Sequence, residues 1–184
     1  FVDMDTEEPR QTHADWKNNP YQMTRGHLCP AADNKWSKEA MNQSFLLSNI
    51  CPQTQSLNGG AWQKLEDKCR TWAKQHGDIY IVAGPVFEGG KVTRAMGNNN
   101  VAVPDAFFKV VLCLNGSPRA IGFVYKNDDS SQSMNYNACS VDYVEDLTGF
   151  DFFYSLPDDI EEEIEANNDI RIMDRKGHIS ERIW

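Results

Sequence analysis

Apolar residues occur along this chain in short runs bounded by turn residues, and such runs predict strands. They cover residues 44–50, 79–83, 107–114 and 120–125, and the turn NGSPR at 115–119 joins the last two. Helical periodicity predicts helices over 60–75, over 141–148 with Gly149 ending it, and over 158–166. The first 21 residues are polar and interrupted by Pro, which indicates loop with short helical turns.

These strands and helices are mixed without strict alternation, and the order favours an α+β fold. We expect a layered mixed domain with a central, mainly antiparallel sheet flanked by helices. The length of 184 residues and the 40% of hydrophobic residues suffice for one globular domain over residues 1–184. No apolar run reaches about 18 residues and the start lacks a signal-peptide pattern, so no membrane or targeting segment is expected.

The helix predicted over 60–75 carries one apolar stripe when residues are placed about 100° apart. Its members are Ala61, Trp62, Leu65, Cys69, Trp72 and Ala73. Asn58, extrapolated one turn back, falls within this inward stripe. Glu66 and Arg70 lie four residues apart on its flank, which is also the spacing of an ordinary stabilising ion pair.

The net charge restricts how the chain could bind nucleic acid. Eighteen basic and 27 acidic residues give −9, the wrong sign for binding through the whole surface, so a local basic patch would be needed. Much of the acidity falls in 157–169, which is typical of a solvated helix face.

The five cysteines have no C-x-x-C spacing, and this argues against zinc. The sequence leaves their state open between a Cys29–Cys69 pair, a Cys113–Cys139 pair and five buried thiols.

Residues 24–70 concentrate the candidate chemistry, because they hold a histidine, asparagines, a glutamate and arginines within TRGHLCPAAD, SFLLSNICPQTQSLNGGAW and QKLEDKCR. These residue types can supply a general base, a ligand for a hard metal ion and cations for a phosphorane. His27 precedes Cys-Pro, where the chain is expected to turn, and is the candidate base. His13, His76 and His178 have polar or charged surroundings typical of surface residues.

Six blocks of the sequence resemble the DNA/RNA non-specific endonuclease family of the ββα-metal superfamily. In chain order they are RGHLCPAAD (25–33), FLLSNICPQ (45–53), LNGGAWQKLEDKCR (57–70), IVAGPVF (81–87), VAVPDAFFKVV (101–111) and VEDLTGFDFFYSLP (144–157). The chain departs from the family at Thr24, where Asp is common. The family domain also usually begins earlier, so the chain is expected to lack N-terminal family strands.

The resemblance implies a sugar-non-specific endonuclease that uses Mg²⁺, or Mn²⁺, and leaves 5'-phosphate ends. It implies a ββα-metal finger with the base on the first strand and the metal ligand at the helix. The implied roles are general base for His27, metal ligand for Asn58, placement of the histidine or the phosphate for Asn49, contact with metal-bound water for Glu66, and phosphate contact for Arg25 and Arg70. Such groups contact the phosphate backbone of the nucleic acid and not the edges of its bases, so DNA and RNA are both expected substrates.

Two other functions fit the same residues. One is a catalytically decayed nucleic-acid-binding domain of the same fold, and the other is a metal-dependent phosphodiesterase for small substrates. The resemblance further suggests an extracytoplasmic bacterial protein, secreted or periplasmic, that can form a homodimer, and it leaves any inhibitor protein unknown.

Overall fold

A computed structural model of the chain describes residues 1–128, 130 and 133–175. The described residues form two compact units. The first contains Phe1–Gln63, Gly84–Phe107, 126–128 and 130, and the second contains Lys64–Ala83, Phe108–Tyr125 and 133–175. The single domain over residues 1–184 stays a prediction.

The first unit is organised around two short antiparallel strands, β1 (Thr24–His27) and β2 (Ile50–Gln53), in which His27 lies opposite Ile50. The intervening segment contains helix α1 (Lys38–Gln43), whose first turn is capped by Ser37 Oγ accepting from Ala40 N. After β2, the segment Leu57–Trp62 is π-helical. A second antiparallel pair, β4 (Ala95–Met96) and β5 (Val101–Ala102), contributes Met96 to a small core with Met23 and Val103.

Most of a four-stranded sheet belongs to the second unit. Its order is β3 (Ile79–Val86), β6 (Ala106–Cys113), β7 (Arg119–Lys126) and β8 (Ala138–Cys139). Every residue of β6 is buried, and Trp72 stacks on Phe123 of β7 at 6.3 Å between ring centroids. The helices are α2 (Gln63–His76), α3 (Met134–Asn137), α4 (Val141–Thr148) and α5 (Asp158–Glu165).

The predicted α+β fold with antiparallel strands is confirmed. The runs at 79–83, 107–114 and 120–125 form β3, β6 and β7, and the three predicted helices correspond to α2, α4 and α5. Gly149 ends α4 in the left-handed region at φ 73°, where glycine has no steric penalty. In the stripe of α2, Leu65, Cys69 and Trp72 are buried, as the periodicity predicted.

The strand predicted over 44–50 is wrong. Residues Leu47–Asn49 form a 3-10 turn, and β2 begins only at Ile50. The apolar run does not alternate across a sheet, since Leu47 is buried whereas Phe45 is exposed. Periodicity also missed β1 and α1, whose short lengths leave too few residues for a pattern.

All five cysteines are free in the structure. Both disulfide pairings considered from the sequence are therefore wrong. Uniform burial is wrong as well, because Cys29 is exposed.

No helix among the described residues is long and apolar enough to span a membrane.

Candidate functional site

His27 is the last residue of β1, and the chain beyond it is fixed to the segment before β2, because Leu28 N donates to Asn49 O at 3.0 Å. The imidazole is half-buried and lies edge-on to the Phe45 ring at 5.0 Å between centroids. Its Nε2 is buried and has no hydrogen-bond partner among the described residues. Burial lowers the pKa of His27 from its ordinary value of 6.5, because the imidazolium loses hydration there.

The π-helical segment supports the backbone of His27. Trp62, fully buried at its end, donates from Nε1 to His27 O at 3.2 Å. π-Helical turns recur at functional sites, where they shift side chains relative to regular helical spacing. The Gly59-Gly60 pair was the sequence feature that could have indicated irregular helix here.

The side chain of Asn49 is hydrogen-bonded to the backbone near the end of β1. Its Oδ1 accepts from Cys29 N at 2.9 Å, and its Nδ2 donates to Cys29 O and to Ser44 O, both at 2.8 Å. The amide therefore orders the turn that follows His27.

Asn58 lies in the π-helical segment, and contacts with β1 fix its side chain. Nδ2 donates to Thr24 Oγ1 at 3.0 Å and to Arg25 O at 3.3 Å. Thr24 Oγ1 in turn donates to Gln53 O at 2.9 Å. A carbonyl oxygen such as Arg25 O can only accept, so the amide nitrogen must face β1. Oδ1 therefore remains as the free acceptor, since the described residues donate no hydrogen bond to it.

Gly26 lies between Arg25 and His27 on β1 and is buried against Gln53. A Cβ at this position would lie 2.1 Å from Gln53 Oε1, closer than any real contact. Glycine at position 26 is therefore what allows β1 to lie over the buried Gln53 side chain.

Arg25 is exposed, and its guanidinium lies over the Trp16 ring at 5.0 Å from the centroid. A cation–π contact of this kind holds a guanidinium in place without neutralising it.

Glu66 and Arg70 belong to the second unit, where both are half-buried on α2. Arg70 Nη2 pairs with Asp67 Oδ1 at 2.5 Å, one turn earlier. The sequence singled out Glu66 as a neighbour of Arg70 at i,i+4, and the structure adds this i,i+3 pair with Asp67.

The first unit thus brings together His27, Arg25, Asn49 and Asn58 around one strand, β1. Such a group offers a neutral imidazole, an amide oxygen suited to a hard cation, and an exposed guanidinium. The residues that position these groups are Trp16, Thr24 and Trp62, and the sequence had noted Thr24 only as a departure from the family. Of these, Trp62 was placed only in the apolar stripe, and a role for Trp16 has no signal in the sequence.

The model of the protein family described as "DNA/RNA non-specific endonuclease" matches residues 2–159 of the chain. The chain is 40% identical over 151 residues to the mitochondrial nuclease EXOG of Xenopus laevis, covering 74% of the chain and 42% of the relative. It is 38% identical over 111 residues to mitochondrial endonuclease G of Homo sapiens, covering 56% of the chain and 37% of the relative. The chain therefore spans less than half the length of these relatives.

The fold has a solved counterpart in a crystal structure of the EndoG/EndoGI complex. The TM-score is 0.73 at 26% identity, over 80% of this chain and 65% of that chain. This structural similarity supports the α+β fold without depending on where each helix and strand begins or ends.

The expected location outside a bacterial cell is wrong. Similar relatives include mitochondrial nucleases of eukaryotes, from Xenopus laevis, Homo sapiens and Schizosaccharomyces pombe.

Proposed function

The chain belongs to the DNA/RNA non-specific endonuclease family, as its sequence blocks predicted, and from this premise we propose that it is a metal-dependent endonuclease. It cleaves phosphodiester bonds in both DNA and RNA and leaves 5'-phosphate ends. The observation that carries the proposal is the Asn58 amide. Its nitrogen is held by β1, its oxygen is open to a cation, and β1 ends at the half-buried His27.

The side chain of Asn58 fits a hard divalent cation, and we assign Mg²⁺ to it, with Mn²⁺ as a substitute. A neutral amide oxygen is a suitable ligand for an ion that keeps most of its water. When bound, the ion supplies Lewis-acid stabilisation of the phosphate and of the leaving 3'-oxygen. Thr24 and Arg25 O contribute by fixing the amide so that its oxygen, and not its nitrogen, is presented.

His27 is the general base in this proposal. Nε2 is buried, so Nδ1 is the nitrogen that takes the proton from the attacking water. Because burial lowers the pKa of His27 below 6.5, the imidazole is neutral at pH 7 and can accept that proton. Asn49 and Trp62 position the base through the backbone, Trp62 at the carbonyl of His27 and Asn49 at the turn that follows it.

Arg25 binds the scissile phosphate, where its planar guanidinium donates to oxygens that gain charge. The contact with Trp16 orients it in advance and lowers the entropy lost on binding. The roles implied for Glu66, toward metal-bound water, and for Arg70, toward the phosphate, stay predictions. Since these groups contact the phosphate backbone of the nucleic acid, we expect cleavage to depend little on base sequence or sugar.

Incubation of purified protein with supercoiled plasmid and with RNA tests the function. We expect both polymers to be cut internally with Mg²⁺ and to remain intact with excess chelator. End-labelling of the products distinguishes 5'-phosphate from 5'-hydroxyl ends. Binding of both polymers without cleavage under any divalent metal would favour the decayed binding domain and end the enzyme proposal.

The pH profile of cleavage follows from the environment of His27. Burial lowers the His27 pKa below 6.5 in the free protein, so kcat/KM should stay nearly constant from pH 8 down to about 6.5. Below the His27 pKa itself, kcat/KM should fall tenfold per pH unit, because the neutral fraction does so. The measurement is the initial rate against pH at saturating Mg²⁺ and at substrate concentrations well below KM. An acidic limb with its midpoint above 6.5, or no limb at all, would contradict the assignment.

A further inference from the structure

Three carboxylates of the second unit converge between two helices. Asp142 and Glu145 lie on α4, and Glu165 is the last residue of α5. One oxygen from each side chain lies within 4.8 Å of the others. None of the three belongs to the nuclease site proposed above, so the cluster requires an explanation of its own.

The position of Glu165 is the unusual part of this cluster. Glu165 is only 6% exposed, and its Oε1 atom is buried without a hydrogen-bond partner among the described residues. The sequence predicted a solvated acidic face over 157–169, and at Glu165 that prediction is wrong. An unpaired buried carboxylate is costly, and it demands either a proton or a cation.

The surroundings of Glu165 supply negative charge. The charged groups that act on Glu165 are all carboxylates: Glu145, Glu161, Asp142 and Asp151. Neither α4 nor α5 has a basic residue in its last turn. The local potential therefore attracts cations strongly.

The other two carboxylates make the cluster accessible and ordered. Glu145 Oε1 accepts from Phe152 N at 2.6 Å, which fixes this side chain against the loop that follows α4. Asp142 is exposed, so a hydrated ion can reach the cluster from solvent.

We propose that Asp142, Glu145 and Glu165 bind one hard divalent cation of the calcium class, which links α4 to α5. A set of carboxylate oxygens selects hard ions over transition metals. Ca²⁺ holds oxygens at about 2.3–2.6 Å in flexible geometry, so the oxygens around one ion lie within about 5 Å of one another, as these three do. Mg²⁺ demands near-ideal octahedral geometry and keeps several of its waters, so a set of three carboxylates suits Ca²⁺ better. An ion bound here would stabilise the fold, and this site is separate from the metal site proposed at Asn58.

Thermal unfolding of chelator-treated protein in a Ca²⁺ titration tests this site. A ligand that binds only the folded state raises the melting temperature, and at 100 times Kd we expect a rise of about 5–10 °C. Glu165→Gln removes the buried charge while keeping the shape, and it should abolish the rise. Asp142→Asn changes an exposed residue with little packing, so it should reduce the rise without affecting the metal-free fold.

Two controls separate this site from other effects. Glu163→Gln removes the same charge from an exposed position of α5 and should keep the full rise. Asn58→Ala should keep it as well, because that residue serves the other metal site. No rise in the unsubstituted protein, or a rise that persists in Glu165→Gln, would overturn the proposal.

Discussion

Replacing His27 by alanine is expected to lower kcat for plasmid and RNA cleavage by about 10³–10⁴-fold, the upper part of the range for loss of a general base. The substitution removes the proton acceptor and leaves Asn58 and Arg25 unchanged. The measurement is the single-turnover cleavage rate at saturating Mg²⁺, where metal affinity does not contribute.

The fold should tolerate this substitution, because the imidazole is half-buried and its only ring contact within the described part of the chain is edge-on to Phe45. Circular dichroism and the melting temperature verify this. His13→Ala is the matched control, since His13 is an exposed histidine of the same unit and should retain full activity. If His27→Ala retains kcat within about threefold, His27 is not the base.

Replacing Asn58 by alanine should lower the cleavage rate at fixed Mg²⁺ by about 10³-fold. Lewis-acid stabilisation contributes several kcal/mol, and each 1.36 kcal/mol is a factor of ten in rate. Asn58→Asp keeps an oxygen ligand and should retain more activity than alanine. The measurement is the rate as a function of Mg²⁺ concentration, which separates kcat from the half-saturating concentration.

Thr24 provides the matched test of how Asn58 is positioned. Thr24→Val keeps the shape of the side chain but removes the acceptor for Asn58 Nδ2. Loss of such an outer contact typically costs 10–100-fold in metal affinity, so the half-saturating Mg²⁺ should rise by about that factor. Thr24→Ser keeps the hydroxyl and should behave nearly as the original protein. Asn42→Ala, at an exposed asparagine of α1, is the neutral control. Equal Mg²⁺ dependence in these three variants and in the original protein would show that Thr24 does not position Asn58 for metal binding.

The long elements of the fold were predictable because burial is periodic within them. The stripe on α2 places Leu65, Cys69 and Trp72 in the interior, and the fully buried β6 appears in the sequence as an apolar run interrupted only by Lys109. The strand predicted over 44–50 failed because the backbone there is held by the Asn49 amide, whose bonds to Cys29 leave no trace in apolar spacing.

The candidate site was predictable in its residue types and not in its arrangement. The blocks around His27 and Asn58 carried the family resemblance, and the match over residues 2–159 supports it. The angle argument that placed Asn58 on the inward stripe assumed regular helical spacing, whereas the segment Leu57–Trp62 is π-helical. The location predicted for the protein rested on the family alone, and it was wrong because members of one fold serve different compartments.

The sequence by itself determined the fold class, the family and the chemical groups available, since these depend on local periodicity and on residue identity. Only the tertiary structure decided which atom of Asn58 faces outward and which carboxylate near α4 is buried. The physical reason is that both depend on contacts between residues distant in the chain. Arg25 O fixes the amide of Asn58, which is 33 residues away, and the end of α5 brings Glu165 to Asp142 and Glu145.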